Sequence, residues 1–180
     1  MIITISGFHG VGKSVYAKKI AKRYNLKYVS SGLIFRSIAK EKGISIEELS
    51  KIAEKDASID KYIDSKIVKE AKASKHVIVD GLLAGWMLKD IANVKIWVKA
   101  KDEIRYSRIA RRDGLSIEEA AKRTRLREES EARRFKQFYG INIYDLSIYD
   151  FVIDTSYLSI EDVLEILYKI IDCYLSREGR

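Results

Sequence analysis

The chain has 180 residues, of which 47% are hydrophobic and 33% charged, a composition that excludes a disordered or fibrous protein and suits one globular domain. Its one cysteine, Cys173, excludes an intramolecular disulfide, and no apolar run is long enough to span a membrane, so we expect a cytoplasmic protein without a membrane partner. The formal net charge of +8 leaves nucleic acids and acidic small molecules open as partners.

A short apolar strand and an amphipathic helix are predicted at the start of the chain. Residues 2–6 form an apolar run that is typical of a buried strand. A helix is expected from about Lys13, because Tyr16, Ile20 and Tyr24 recur every four residues. The segment between them therefore joins the end of a strand to the start of a helix.

The connecting residues, 7–14, read Gly-Phe-His-Gly-Val-Gly-Lys-Ser and satisfy the phosphate-loop pattern G-x-x-x-x-G-K-[ST]. Its glycines let backbone N–H groups turn around phosphate oxygens, and the following helix adds the positive end of its dipole. Lys13 is the candidate catalytic residue that reaches the outer phosphates of ATP, and Ser14 is a candidate Mg²⁺ ligand. The predicted ATP-binding residues are Gly7, Phe8, His9, Gly10, Val11, Gly12, Lys13, Ser14 and Val15.

A phosphate loop by itself leaves the class open among GTPases, ATPases, helicases and kinases. The chain is too short for most motor domains, and it lacks the Asn-Lys-x-Asp sequence expected of a GTPase. These two exclusions favour a small metabolic kinase.

The next segment predicts one short strand and then only helices. Tyr28 and Val29 form the strand, and the helix after it ends at Gly43. Ser45 and Glu48 have the spacing of a capping box, which opens another helix. Residues 33–74 are therefore expected to form a helical insertion.

The rest of the chain alternates strands with helices. Strands are predicted at 76–79, 95–99 and 151–153, and helices at 102–112, from a second capping box at Ser116 and Glu119 toward Gly140, and at 159–175, where Cys173 should be packed. This order predicts an α/β fold with a five-stranded parallel sheet and helices on both faces. We expect one P-loop kinase domain over residues 1–180, with residues 33–74 and 113–140 as caps over one end of the sheet.

Arginines are concentrated in one third of the chain. Their planar guanidinium groups suit phosphate oxygens, although a solvated helix face is the alternative. Surface ion pairs with neighbouring glutamates are the favoured interpretation for Arg105 and Arg123. The arginines of this segment are Arg105, Arg108, Arg111, Arg112, Arg123, Arg125, Arg127, Arg133 and Arg134.

The motifs together resemble those of the nucleoside monophosphate kinases, and most of all the archaeal type of cytidylate kinase, over nearly the full length. Residues 31–36, Ser-Gly-Leu-Ile-Phe-Arg, are similar to the family's Ser-Gly-x-[aromatic or apolar]-x-Arg motif. This resemblance implies that Ser31 and Arg36 contact the acceptor monophosphate, whereas a helix N-cap and a surface arginine are the alternatives. Asp80 and Gly81 resemble the family's Asp-Gly turn, which implies that Asp80 holds Mg²⁺ through water.

The arginine-rich segment resembles the lid of adenylate-type kinases. Arg108 and Arg112 match the Arg-Ile-x-x-Arg sequence at its start. Arg127 and Arg134 are chosen from its far side, with Arg133 as a near competitor. The resemblance implies that the four chosen arginines are catalytic.

The reaction implied by the resemblance is transfer of the γ-phosphoryl group of ATP to CMP, and to dCMP, by a monomer without a stable nucleic-acid complex. Asp60, Gly81 and Gly85 are the further substrate-binding candidates, although Asp60 could equally be a solvated helix carboxylate. Many relatives have an arginine where this chain has Leu82, so one acceptor-site cation is missing. The alternatives are AMP, UMP or dTMP as acceptor, a nucleic-acid-binding P-loop ATPase, and an ATP-dependent switch protein.

Overall fold

The structure, a computed structural model, describes residues 1–178. It alternates strands and helices along the chain, as the sequence predicts. The strands are β1 (Ile2–Ser6), β2 (Lys27–Ser30), β3 (Val77–Asp80), β4 (Val94–Lys99) and β5 (Phe151–Asp154). The helices are α1 (Lys13–Arg23), α2 (Ser31–Lys42), α3 (Ile46–Lys55), α4 (Ala57–Ala73), α5 (Ala84–Met87), α6 (Asp102–Asp113), α7 (Ile117–Tyr139) and α8 (Ile160–Glu178).

The five strands form one sheet in the order β2-β3-β1-β4-β5, and every neighbouring pair is parallel. This confirms the predicted fold class. Each parallel connection needs a crossover, and the intervening helices provide it. The short helix α5 was not predicted, because four residues carry too little periodicity to be detected.

The two faces of the sheet are covered by different helices, because side chains of a strand alternate between faces. Ile3 and Ile5 of β1 pack with apolar residues of α1 and α8 in one buried cluster. Val77 and Val79 of β3 lie in a second cluster with residues of α2, α3 and α4. Buried apolar side chains therefore lie on both faces of the sheet beneath these helices.

Strand register places two loops side by side at the carboxyl end of the sheet. Ile5 of β1 is paired with Asp80, the last residue of β3. Residues 7–12 and the turn at Gly81 therefore leave the sheet next to each other. Ligands of open parallel sheets bind at this edge.

One of the two predicted capping boxes is complete and the other is only half formed. The predicted capping box of Ser45 and Glu48 is present in both directions, but at the start of α7 only the Ser116 hydroxyl accepts, from the Glu119 N–H. The Glu119 carboxylate instead accepts from Arg123 at 2.7 Å.

Cys173 lies in α8 as expected but is exposed, so its predicted packing was wrong. Within residues 1–178, no helix is both long and apolar enough to cross a membrane.

Candidate active site

The connection between β1 and α1 is shaped by its glycines. Gly10 and Gly12 have φ angles of 81° and 96°, in a region that residues with side chains rarely adopt. A Cβ atom on Gly7 would lie 2.1 Å from the carbonyl oxygen of Val98, and one on Gly10 would lie 2.6 Å from that of Arg105. The glycines of the motif are thus required by backbone conformation and by the close approach of β4 and α6.

The first turn of α1 is open to an anion. Gly12 is its N-cap and provides no side-chain cap, and the turn contains no acidic residue. The positive end of the helix dipole is therefore left without a negative partner from its own first turn. A phosphate group of a nucleotide fits this position.

The Lys13 side chain folds back over the loop. Its Nζ donates hydrogen bonds to the carbonyl oxygens of Gly7, at 2.6 Å, and Phe8, at 2.8 Å. Burial lowers the pKa of Lys13, while the carboxylates of Asp80, Glu131 and Glu128 act in the opposite direction. The ammonium group is therefore held against the carbonyl oxygens of the loop, and a bound phosphate would compete with them for its hydrogen bonds.

The Asp80 carboxylate, at the end of β3, accepts hydrogen bonds from three hydroxyl groups. Its Oδ2 accepts from Ser14 at 2.6 Å, from Tyr28 at 2.9 Å and from Ser30 at 3.4 Å. The structure thus brings the two predicted metal ligands, Ser14 and Asp80, into contact. Oxygen donors of this kind fit Mg²⁺, which takes few protein ligands and completes its shell with water and phosphate oxygens. No cluster of three or more His, Cys, Asp or Glu residues that could hold a metal ion occurs in the described part of the chain.

The predicted acceptor residues lie beside Asp80. Ser31 donates to the backbone carbonyl of Asp80 at 3.4 Å, and a Cβ atom on Gly81 would lie 2.3 Å from the Ser31 Oγ. The N-cap of α2 is Ser30, whose hydroxyl accepts from the Leu33 N–H, so capping does not account for Ser31. Ser31 and Gly81 therefore face each other across the end of the sheet.

Arg36 is the second predicted acceptor residue, one turn into α2. Its Nη1 lies 3.4 Å from the position that a Cβ atom on Gly32 would occupy. Arg36 is exposed, and among the side chains of residues 1–177 no carboxylate lies within ion-pair distance of it. Its guanidinium group is therefore available to a ligand.

The two predicted lid arginines of α6 have different surroundings. Arg108 donates to the Thr155 hydroxyl at 3.4 Å and to the Thr155 carbonyl at 3.3 Å, so it contacts the loop that follows β5. Arg112 is exposed and pairs with its neighbour Asp113 at 2.6 Å. A catalytic role of these two residues stays a prediction.

The two predicted lid arginines of α7 are paired with carboxylates. Arg127 Nε lies 3.0 Å from Glu131, and its guanidinium carbon lies 5.8 Å from the centre of the Phe35 ring. Arg134 is buried and lies 3.0 Å from Asp60 of α4, and it also donates to the Ser50 carbonyl at 3.3 Å. Asp60 is therefore not a solvated carboxylate, and Arg134 joins α7 to the helices of residues 33–74.

A second carboxylate of α4 lies in the same region. Tyr139 of α7 donates to Asp64 at 2.6 Å. Burial raises the pKa of Asp60 to about 6 and that of Asp64 to about 6. The interface between α4 and α7 thus contains two carboxyl groups that ionise near pH 6 instead of near pH 4.

Leu82, in the turn after β3, and Gly85, in α5, have packing roles. Leu82 is buried among apolar side chains that include Trp97 and Phe135. A Cβ atom on Gly85 would lie 2.4 Å from the ring of Tyr149, which explains a glycine there by packing. The predicted contact of Gly85 with substrate stays a prediction.

Arg105 corrects the sequence interpretation. It was expected to form a surface ion pair, but only 4% of it is exposed. Its Nη1 donates to Glu128 at 2.6 Å and to the His9 carbonyl at 2.8 Å. The sequence contains only a weak signal for this group, since Glu128 and Glu131 are spaced to share one face of α7 and nothing in the spacing names their partners.

Comparisons with known proteins agree on the family. The sequence profile of the Cytidylate kinase-like family matches residues 2–157. The chain is 46% identical over 172 residues to a curated cytidylate kinase of Pyrococcus horikoshii, covering 96% of this chain and 88% of the relative. It is 44% identical over 176 residues to a curated cytidylate kinase of Sulfurisphaera tokodaii, covering 98% and 96% of the two chains.

Solved structures agree on the fold. A shikimate kinase from Bacteroides thetaiotaomicron superposes with a TM-score of 0.62 at 14% identity, covering 96% of this chain and 98% of the other. A gluconokinase from Sinorhizobium meliloti superposes with a TM-score of 0.63 at 12% identity, covering 98% and 95%. At such low identity, the likeness concerns the arrangement of strands and helices alone.

Proposed function

The chain belongs to the cytidylate kinase-like family, and we propose that it is a cytidylate kinase that transfers the γ-phosphoryl group of ATP to CMP and forms ADP and CDP. The observation that carries this proposal is the similarity to curated archaeal cytidylate kinases along nearly the whole chain. A phosphate loop beside a Ser14–Asp80 contact supports phosphoryl transfer. Free nucleotides as partners, a monomeric enzyme and a cytoplasmic location belong to the same proposal.

The acceptor needs no general base. An oxygen of the CMP phosphate attacks the γ-phosphorus, a new P–O bond forms, and the bond to the β-phosphate oxygen breaks with ADP leaving. Near pH 7 the acceptor oxygen is already largely ionised, since the second pKa of a phosphate monoester is about 6. Catalysis therefore requires positioning of the two reactants and compensation of their negative charges.

Donor phosphates would be held by the loop and by Lys13. On nucleotide binding, Lys13 would exchange the carbonyl oxygens of Gly7 and Phe8 for phosphate oxygens, which are stronger acceptors because they are charged. Mg²⁺, when held near Ser14 and Asp80, would neutralise charge on the outer phosphates. The N-terminus of α1 adds the positive end of the helix dipole, which no acidic residue of its first turn neutralises.

The acceptor phosphate would be held by Arg36 and Ser31, which lie outside the phosphate loop. Arg36 is exposed without a carboxylate partner within ion-pair distance in the described residues, and Ser31 lies at the end of β3 next to Gly81. Arg127 and Arg134 are paired with Glu131 and Asp60, so a phosphate would have to compete with those carboxylates. We propose that Arg108, Arg112, Arg127 and Arg134 approach the transferred group when both nucleotides are bound.

Acceptor choice is tested by one coupled assay of ADP release. ATP and Mg²⁺ are held constant, and CMP, dCMP, UMP, AMP, GMP and dTMP are compared as acceptors. We expect CMP and dCMP to give the highest kcat/KM. Preference for AMP, UMP or dTMP would replace the proposed acceptor, and absence of acceptor-dependent release from all six would overturn the kinase assignment.

A further inference from the structure

The apex of the phosphate loop is held by residues outside the loop. The His9 N–H donates to Glu128 Oε1 at 3.0 Å, and the His9 carbonyl accepts from Arg105 Nη1 at 2.8 Å. Both backbone polar groups of His9 are therefore bonded to two side chains that come from α6 and α7. A loop in which successive peptide groups must point toward phosphate is sensitive to such contacts, because they fix the orientation of its peptide planes.

Arg105 and Glu128 also bind each other. Arg105 Nη1 lies 2.6 Å from Glu128 Oε1, and Nη2 lies 3.2 Å from Glu128 Oε2, which is a two-point contact of the kind that fixes both side chains. Nη2 also donates to Asp102 at 2.6 Å. Only 4% of Arg105 and 8% of Glu128 are exposed, so the pair is shielded from water.

Backbone packing reinforces the contact. Gly10, which follows His9, lies so close to the Arg105 backbone that a Cβ atom would be 2.6 Å from the Arg105 carbonyl oxygen. The Arg105 guanidinium group also lies 5.6 Å from the centre of the Phe8 ring. Three consecutive loop residues therefore contact one arginine.

We propose that Arg105 and Glu128 are positioning residues that hold the phosphate loop in its nucleotide-binding conformation. The inference rests on the proposed function, in which the loop binds the phosphates of ATP. Neither residue needs to touch the nucleotide, because each acts through the His9 peptide groups. Since Glu128 belongs to α7, displacement of that helix would be transmitted to the donor site through His9, and through the Arg134–Asp60 contact also to the helices of residues 33–74.

A double variant, Arg105→Met/Glu128→Leu, tests the role directly. Apolar replacement of both members of a buried ion pair usually preserves stability, whereas removing one partner leaves an unpaired charge. Asp102 also loses Arg105 in this variant, but its side chain is 62% exposed and stays hydrated. We expect a folded protein in which the KM for ATP and the Kd for ADP rise about tenfold or more, the loss typical of hydrogen bonds to charged groups. The KM for CMP should change by less than about twofold, a split that general loss of structure does not produce.

The matched control is Arg123→Met/Glu119→Leu, which removes an exposed ion pair of 2.7 Å on the surface of α7. It should leave both KM values and the ADP affinity as in the wild type. Calorimetric titration with ADP measures the affinities of wild type and variants, and thermal unfolding confirms that each is folded. A folded double variant with wild-type ADP affinity, or with equal loss for ATP and CMP, overturns the inference.

Arg105→Lys serves if the double variant does not fold. It keeps the charge but loses the two-point geometry, so ADP affinity should fall while the protein stays folded. Wild-type affinity in folded Arg105→Lys would then overturn the positioning role. If the wild-type protein itself does not bind ADP, the proposed function fails together with the positioning role. If the wild type binds ADP and the folded variants bind it equally well, only the positioning role fails.

Discussion

The hydroxyl group of Ser14 donates a hydrogen bond to Asp80 across 2.6 Å, although 66 positions separate the two residues in the chain. The contact exists because β1 and β3 are neighbours in the sheet and end at the same edge. Ser14 is the last residue of the phosphate-loop motif, and Asp80 ends the neighbouring strand β3. Two oxygen groups thereby meet where the outer phosphates of ATP would lie.

Asp80→Asn should weaken the response of the enzyme to Mg²⁺. The substitution removes the negative charge while keeping the size of the side chain, and the apparent affinity for Mg²⁺ should fall about 10- to 100-fold. Activity measured over a range of free Mg²⁺ concentrations at saturating ATP and CMP checks this result. Asp90→Asn, at an exposed aspartate after α5, is the control, and an unchanged Mg²⁺ dependence in Asp80→Asn would remove Asp80 from the metal site.

Lys13→Ala should abolish most turnover without unfolding the protein. In the free protein the Lys13 side chain hydrogen-bonds to carbonyl oxygens of the loop. With nucleotide bound, its ammonium group would be the main positive charge of the protein beside the transferred phosphoryl group. Loss of one such group typically costs about 10²- to 10³-fold in kcat. Lys22→Ala, at an exposed position of the same helix, should retain activity, and the melting temperatures of both variants test folding. Wild-type turnover in Lys13→Ala would contradict the assignment of the loop.

Arg36→Ala should affect the acceptor more than the donor. Arg36 is exposed and has no carboxylate within ion-pair distance among the side chains of residues 1–177, so its removal leaves no buried charge unpaired. The KM for CMP should rise about tenfold or more, as expected for a lost charge-assisted hydrogen bond. The KM for ATP should change little, and Lys40→Ala in the same helix should change neither value. Equal increases in both KM values would exclude Arg36 from the acceptor site.

The carboxyl group of Asp64 should make stability depend on pH. Burial raises its pKa from 3.8 to about 6, so the folded state binds this proton more tightly than the unfolded state does. The stabilisation is therefore complete below about pH 4 and is lost as the pH rises toward about 6, by about 1–3 kcal/mol for a shift of this size in a partly buried group.

Asp64→Asn isolates this effect, because asparagine cannot ionise but can still accept a hydrogen bond from Tyr139. Relative to the wild type, the variant should gain stability between pH 4 and pH 7. Urea unfolding at both pH values measures the difference, and Asp90→Asn provides the exposed control. A difference that does not vary with pH would show that the Asp64 pKa is ordinary.

Sequence alone identified the features that depend on neighbouring residues. The phosphate loop is continuous from Gly7 to Ser14, and its glycines, its lysine and the following helix are read directly from the spacing. Strand and helix periods likewise predicted a parallel sheet with five strands, and the capping box at Ser45 marked the start of α3. These features are local because they depend on backbone conformation over a few residues.

Tertiary structure decided which charges meet. Arg105 and Arg123 look alike in the sequence, yet one is buried against Glu128 and the loop, and the other forms an exposed pair with Glu119. The pairing of Arg134 with Asp60 also joins residues far apart in the chain. Partner choice for a long charged side chain depends on how helices pack and on which groups lose water, and neither is encoded in local spacing. The motif from Gly7 to Ser14 was therefore predictable, whereas the residues that hold it in place were not.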